Sequence, residues 1–441
     1  MASTYLTRTP GSAGNRKTFT ISTWVKLSKI QTSGAIFSAR SGSPWGILDF
    51  SSGDGVGSGH SLQFSVTAGV SPGVYTTRIF RDASAWYHIV VAVDTTQATA
   101  SNRVKIYING VQETLVSGNY PTLNQDTQFN STISHDIGAS ASANYFDGSL
   151  AHFNFIDGTA YDASTFGETD ATTGQWKPKT SPSVTYGTNG FFLKFANSGS
   201  MGTDSSGNGN NFTVSGNLTQ TQDTPANVFC SMLGTAPGAS SLLSNLNLTV
   251  TKAASSHSSV PGTLAVNTGK WYFEAKANTV GPTVNATAVG IARIDSDAFY
   301  ISGHNAGDTN DYVYTAGAEQ QVNASTSSYG NTYTSGDIIG VAFDLDNNKL
   351  YFSKNGTYQN SGVPTSGSTG TGAISITPGD YFTALAGAYG GTVWDFNFGN
   401  GYFGTTAVSS ANSDDAGYGL FEYAPPTGYY SLCTKNINTY G

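Results

Sequence analysis

The sequence predicts an all-β protein, with two antiparallel β-sandwich domains of jelly-roll type in tandem. Three observations carry that prediction. Charged residues make up only 11% of the 441-residue chain while Gly alone contributes 53 positions, which is the composition of strands and tight turns. Apolar and polar residues alternate through one short segment after another, the period of a sheet with one face buried. Finally, no stretch of about 12 residues carries apolar positions at helical spacing free of Gly, Pro and β-branched interruptions. A single core rarely grows beyond ~250 to 300 residues, so two domains is the simplest count for this length.

The first domain is expected over residues 1–197. Thr18 to Val25 alternates along most of its length, and Ala35 to Phe37, Leu62 to Val66 and Trp86 to Val93 follow as strands. Val104 to Ile108 runs into Asn109-Gly110, the strongest short-range hairpin signal because a type I′ turn needs positive φ at both central residues. Phe146 to Phe155 and Gly190 to Phe195 complete the series. Residues 198–244 lose the rhythm: Ser198 to Asn211 is loop chemistry at nearly every position, and the segment reads as a linker. The second domain is expected over residues 245–441, with Lys270 to Lys276, Thr287 to Ala292, Tyr312 to Tyr314, Ile338 to Asp344, Lys349 to Phe352 and Val393 to Phe398 as core strands.

One pattern occurs in both halves. Ile89 to Asp94 is followed by Lys105 to Gly110, and Ile339 to Asp344 by Lys349 to Gly356. Each time a buried strand ends at Asp, turns, and returns as a strand ending at Asn-Gly. No shorter repeat of roughly 20 to 50 residues is present, which argues against a solenoid or propeller.

The formal net charge of −8 gives no electrostatic footprint for nucleic acid or an anionic membrane. The first residues lack the apolar run of a secretory signal, and no segment approaches ~18 apolar residues, so synthesis in a cytoplasm is expected. Cys230 and Cys433 are too few for a disulfide framework and lack metal-ligand spacing; buried reduced thiols are expected.

The first domain resembles the laminin-G-like, concanavalin A-like jelly rolls. The resemblance lies in Phe19 to Val25, in Trp86 to Asp94 followed by Ile106 to Val111, and in Phe146 to Leu150. The second resembles the SPRY sandwich through Gly269 to Glu274, Gly336 to Asp344, Leu350 to Gly356 and Asn397 to Gly399. The connecting phrases Tyr5 to Lys17, Leu193 to Asn197, Asp204 to Phe212, Asp223 to Asn227 and Ala424 to Gly428 are similar to the wording of virion proteins of aquatic tailed bacteriophages. These are usually termed tail-fibre or structural proteins.

No catalytic constellation is legible. Sugar-cleaving jelly rolls need two carboxylates flanking the scissile bond, and no Glu-x-Asp-x-x-Glu run occurs. Glu274 stands alone, and Asp344 and Asp346 lie at a turn. The six His residues, at 60, 88, 135, 152, 257 and 304, show no HExxH spacing and no nucleophile elbow. His88, inside a strand, reads as structural. The Gly-rich stretch at residues 53–59 has no strand-to-helix context for a phosphate loop. Calcium is a secondary reading implied by the laminin-G resemblance. Asp204, Asn208 and Asn210 are its candidate ligands, with Asp94 or Asp147 as further donors, although Ala151 and His152 stand where relatives often carry acids. The alternative is an Asx-turn loop satisfied by its own backbone.

For ligand binding the candidates are aromatics in or beside loops, because such rings stack on sugars and anchor protein interfaces equally well. They are Tyr145, Tyr300, Tyr312, Tyr314, Tyr358 and Tyr389, with Tyr75 and Tyr120 also loop-proximal. The expectation is a non-enzymatic virion surface protein, made in the host cytoplasm, that contacts host-cell glycan or other virion proteins. It acts as a tail fibre or receptor-binding component, and trimerisation is expected by analogy with phage fibres. A capsid decoration or head-fibre subunit is the alternative, favoured by strands that begin near residue 18 with no shaft before them. A polysaccharide depolymerase is a third.

Overall fold

The computed structural model describes residues 4–30, 33–51, 60–68, 73–117, 119–234, 241–301 and 303–441. The Gly-rich stretch at 53–59 lies outside the described residues. The chain divides into two compact units, Met1–Gln220 and Thr221–Gly441. Almost all of its regular structure is β, and the one α-helix among the described residues is Thr434–Tyr440.

In the first unit the described residues form an eight-stranded and a six-stranded sheet. The larger runs Leu115–Ser117, Val74–Ile79, Ser61–Ala68, Trp45–Ser51, Ser33–Ala39, His135–Ile137, Tyr5–Arg8 and Thr213–Ser215. The smaller runs Phe191–Leu193, Gly148–Asp157, Thr18–Leu27, Trp86–Asp94, Val104–Ile108 and Val111–Gln112. Alternation explains the core: Phe19, Ile21 and Val25 of one sheet and Leu48, Phe50, Leu62 and Phe64 of the other belong to one buried cluster. At about 25 cal/mol per Å² of apolar surface, such side chains dominate the folding free energy.

Among the described residues each unit carries one further two-stranded sheet, Gly167–Thr169 with Trp176–Pro178 in the first and Tyr402–Phe403 with Thr406–Ala407 in the second. The second unit also has two large sheets. One follows the order Leu242–Ser244, Thr249–Lys252, Thr392–Asn397, Lys270–Thr279, Ile338–Asp344, Lys349–Lys354 and Thr357–Tyr358, with Ile374–Ser375 and Tyr430–Ser431 attached at its side. The other runs Ser258–Pro261, Phe382–Ala388, Ala288–Arg293, Asp311–Thr315, Glu319–Val322 and Ser325–Ser328. Trp271, Trp394, Phe273 and Phe396 fill the space between strands from both sheets.

The pattern repeated in the two halves is a shared three-stranded construction. Thr18–Leu27 pairs with Trp86–Asp94, which pairs with Val104–Ile108; Lys270–Thr279, Ile338–Asp344 and Lys349–Lys354 pair the same way. Both turns after the third strand have positive φ at both central residues, Asn109 and Gly110 in one and Asn355 and Gly356 in the other. The turn Asn also serves the neighbouring strand: Asn109 Oδ1 accepts from His88 N at 2.7 Å, and Asn355 Oδ1 from Ile338 N at 2.9 Å. Asn is thus suited to these turns twice over, tolerating the left-handed conformation and capping an adjacent backbone donor.

The predicted linker over 198–244 is corrected by the structure. The division falls inside it, and both parts are built into a unit. Thr213–Ser215 pairs with Tyr5–Arg8 and Phe212 enters the first core. Phe229 is buried and Cys230 and Met232 join the second core, while Leu242–Ser244 is the edge strand on Thr249–Lys252. Gly, Asn and Ser there mark tight turns, and a few buried apolar residues between them suffice to anchor the chain.

Candidate functional site

Ser22 and His88 sit opposite each other on adjacent strands, with Ser22 Oγ 3.0 Å from His88 Nε2. The pair has the outline of a nucleophile and its base, but the hydrogen bonding forbids that role. Trp176 Nε1 donates to His88 Nδ1 at 3.0 Å, and an indole nitrogen can only donate. The proton of the neutral ring therefore sits on Nε2 and points at Ser22, leaving no lone pair to receive the hydroxyl proton. Burial, with a smaller contribution from His152, pushes His88 down to about 3, and the Trp24 ring stacks on it at 4.7 Å. Gly167 makes room for this arrangement, since a Cβ there would stand 2.4 Å from the Trp176 ring. His88 is structural, as its place in a strand predicts.

The other titratable groups are engaged in the same way. His135 accepts from Asn130 N at Nε2 and faces Ile133 O with Nδ1; burial lowers it to about 4. His304 is enclosed against Asp311, Nε2 to Oδ2 2.8 Å, and Asp311 also accepts from Ser296 Oγ and Gly307 N. Burial pulls His304 down, but the hydrogen bond and charge of Asp311, with Asp308 and Asp297, outweigh it and raise the imidazole. Glu274 is fully buried and accepts four hydrogen bonds, from Tyr272 OH, Asn397 Nδ2, Glu422 N and Tyr423 N. Burial still pushes it up to about 7. Asp344 pairs with Lys270 at 3.1 Å, and Asp346 accepts from Gly269 N. Glu274 lies opposite Gly340, four residues along the strand from Asp344, or about 13 Å, too far to flank one glycosidic bond.

Asp204, Asn208 and Asn210, the calcium candidates, come together in the arrangement of the alternative reading, a closed Asx loop. Asp204 Oδ1 accepts from Phe192 N and Ser206 N, and Oδ2 from Ser206 Oγ and Asn210 N, filling the roughly four acceptor positions of a carboxylate. Asn208 and Asn210 spend their amides on the carbonyls of Gly187, Thr188 and Gly190. Asn210 Oδ1 receives the Arg8 guanidinium, a cation where a metal would have to sit. Asp94 is held by Thr96 and Gln97, and Asp147 pairs with Lys29. No group of three or more His, Cys, Asp or Glu placed to hold a metal occurs among the described residues. Cys230 and Cys433 are buried and unbridged.

Two of the six candidate tyrosines are also corrected. Tyr312 and Tyr314 lie in Asp311–Thr315, flanked by strands on both sides, and their rings point into the core. Tyr314 packs against Tyr333 and Tyr329 at 5.1 and 5.4 Å, and Tyr312 against Phe382 at 5.8 Å. Each phenol is satisfied internally, at Asn331 O and Thr377 Oγ1, so neither ring has a face for a ligand. Loop proximity in the sequence hid a strand two residues deep in alternation. Tyr300 is exposed at 65%. Tyr358 and Tyr389 are half-buried, the latter beside His257 at 4.9 Å. Tyr145 is half-buried in the first unit, 6.2 Å from the Tyr5 ring.

A cluster that the sequence reading missed surrounds Tyr145. On the large sheet of the first unit, cross-strand partners form a row: Ala35 opposite Asp49, Asp49 opposite Gln63, Gln63 opposite Tyr75, with Tyr145 bridged to Ala35. Opposed residues share a face, and because Leu48, Phe50, Leu62 and Phe64 take the core side, the row lies on the outer one. Ala35, Ile47 and Ala68 form a small buried apolar cluster against Trp45, whose ring is capped by the Arg40 guanidinium at 4.0 Å. Asp49 is the exception in this setting. Its Oδ1 is enclosed without a hydrogen-bond partner, the residue keeps part of its surface open, and burial pushes it up to about 8. The only sequence signal was an acid in an otherwise apolar run, Trp45 to Phe50.

Comparison with known proteins fits this architecture. The family described as the concanavalin A-like lectin/glucanases superfamily matches residues 2–164, and the SPRY domain family matches residues 270–388. Among solved structures, the SPRY domain of human HERC1 is similar at 14% identity over 34% of this chain and 87% of that one, with a TM-score of 0.26. No curated protein matches.

Proposed function

For a chain that carries a concanavalin A-like domain followed by a SPRY domain, we propose a non-enzymatic binding role on the surface of a tailed-phage virion, with host-cell glycan as the ligand. The observation that supports it is the contrast between two kinds of polar group. Ser22, His88, Glu274, His304 and Asp311 are sealed and spent on internal hydrogen bonds, whereas Asp49 Oδ1 has no hydrogen-bond partner in a row of residues on the side of the sheet away from the core. A buried polar group without a partner is costly, and its retention is explained by a partner that arrives from outside. The virion setting is supported by phrases such as Asp204 to Phe212 and Ala424 to Gly428.

A depolymerase fits less well. The row partners of Asp49 are Ala35 and Gln63, and burial is the cause of its raised titration, so among the described residues of that row there is no second carboxylate of the kind a glycosidase uses.

Purified full-length protein should bind host cells and compete with the phage for adsorption. A folded protein that neither adheres nor competes sinks the receptor role. Immunogold counting on particles then separates an appendage present in few copies from a subunit decorating the whole capsid.

A further inference from the structure

We propose that His304 is a proton-operated clasp on the segment of the second unit that presents Tyr300 and Ile301: the imidazolium holds that segment against Asp311, and the neutral ring lets it loosen.

The geometry carries this in three links. First, a carboxylate faces each ring nitrogen, Asp311 Oδ2 at 2.8 Å from Nε2 and Asp308 Oδ2 at 3.8 Å from Nδ1. Only the imidazolium has an N–H at both positions; the neutral ring turns a lone pair towards one of the acids. Second, the Asp311 side chain is 0% exposed, and its further donors, Ser296 Oγ and Gly307 N, are neutral. The ring supplies its counter-charge, and a buried carboxylate that loses one is destabilised. Third, Asp311 is wired to the surface. Ser296 donates to Asp311 Oδ1 at 2.6 Å and accepts from Ala298 N at 3.1 Å, so the same hydroxyl caps the short turn Asp297–Phe299. That turn leads into Tyr300 and Ile301, 65% and 49% exposed, whose backbone N–H groups both return to Asp297 O. Clasp, cap and exposed pair form one hydrogen-bonded chain.

The surrounding charges set the direction of the response. Asp311, Asp308 and, on the turn, Asp297 act on the ring. Arg293, the nearest Lys or Arg in sequence, is engaged by Asp295 and Asp380. The strand Ser258–Pro261 brings the Ser259 hydroxyl, which donates to His304 O at 3.0 Å, with His257 just before it. On the neighbouring strand Glu319–Val322, Glu319 stands at the far end, beyond the pairing of Gln320 with Tyr314. Burial pulls the ring down, and the acids outweigh it and raise it. The folded state therefore keeps a proton that the unfolded chain releases at about 6.5. The stabilisation is complete below that value and is lost as pH rises through the higher, folded one. The segment is held in mild acid and released in mild alkali.

The test is hydrogen–deuterium exchange on the full chain at about pH 6 and about pH 8.5, each corrected for the intrinsic exchange rate. Protection over residues 294–301 and 303–311 should fall about threefold to tenfold between the two, since one unit of proton affinity is worth a factor of ten. In His304→Gln, whose amide donates to Asp311 at every pH, that fall should vanish. A wild-type segment with the same protection at both values overturns the clasp, and so does an equal fall in the variant. Should His304→Gln fold poorly, the wild type labelled with ¹³C in its His and Tyr rings decides instead. The His304 resonance must titrate above about 6.5, and the Tyr300 ring must follow the same curve. A His304 that titrates at or below the ordinary value, or a Tyr300 that ignores it, overturns the proposal.

Discussion

Glu274 Oε1 accepts the backbone N–H of Tyr423 at 2.8 Å across 149 residues of sequence. With Oε2 on Glu422 N at 2.9 Å, one buried carboxylate holds a segment that has little regular structure of its own. Replacing Glu274 by Ala strands two backbone donors together with Tyr272 and Asn397. The expected cost is about 3 to 5 kcal/mol, read as a drop in the urea midpoint and as earlier proteolytic cleavage near residues 409–423. A midpoint within experimental error of the wild type would show that the carboxylate is incidental.

Asp49 predicts a pH signature. Its folded value is raised to about 8 by burial against about 3.9 in an unfolded chain. Between those values the folded state keeps a proton that the unfolded state has released, so stability falls as pH rises across that window. Asp49→Asn removes this loss. Its advantage over the wild type should grow from pH 4 to pH 8, reaching about 2 to 4 kcal/mol, and thermal melts across that range measure it. A constant difference at every pH contradicts the raised value.

The Ser22–His88 pair predicts chemical silence. A fluorophosphonate probe should leave Ser22 unlabelled in the folded protein, because His88 points a proton at it. Trp176→Phe removes the donor to His88 Nδ1, and leaving that buried nitrogen unpaired should cost about 1 to 3 kcal/mol. Labelling of Ser22 in the wild type would overturn the tautomer assignment.

The Asp204 loop predicts indifference to metal. Thermal midpoints in millimolar calcium and in excess chelator should agree. Asp204→Ala, by contrast, releases Phe192 N, Ser206 and Asn210 N together and should lower the stability of the first unit by about 2 to 4 kcal/mol. A calcium-dependent rise in the midpoint would restore the metal reading.

Much of the architecture was legible because its cause is local. The alternation at Thr18–Leu27 and the Asn-Gly turns at 109–110 and 355–356 follow from side-chain period and backbone sterics, both written in adjacent residues. The Asp204 loop was legible in part: its bonds to Ser206 and Asn210 are local, whereas those to Phe192, Gly187, Thr188, Gly190 and Arg8 come from elsewhere in the fold. The chain segments at 198–244 were read as a linker because Phe212 and Met232 are isolated apolar residues among turn formers, and only distant partners show that they are buried. Tyr312 and Tyr314 failed similarly, since their inward direction is set by strands on both sides. Asp49 was illegible altogether. Its significance lies in what stands opposite it, Ala35 and Gln63, and register between strands is not readable from one strand.

The second unit begins and finishes in one antiparallel zip. Val228 N meets Thr434 Oγ1 and Thr434 N meets Val228 O, while Cys230 N reaches Leu432 O and Lys435 N reaches Asn227 Oδ1. Because the two strands run in opposite directions, Asn227 and Lys435 lie at the same end of that zip. A tether pulling on both ends of the unit would load these bonds one after another, peeling them like a fastener. In that geometry these terminal hydrogen bonds are loaded before the sheets behind them.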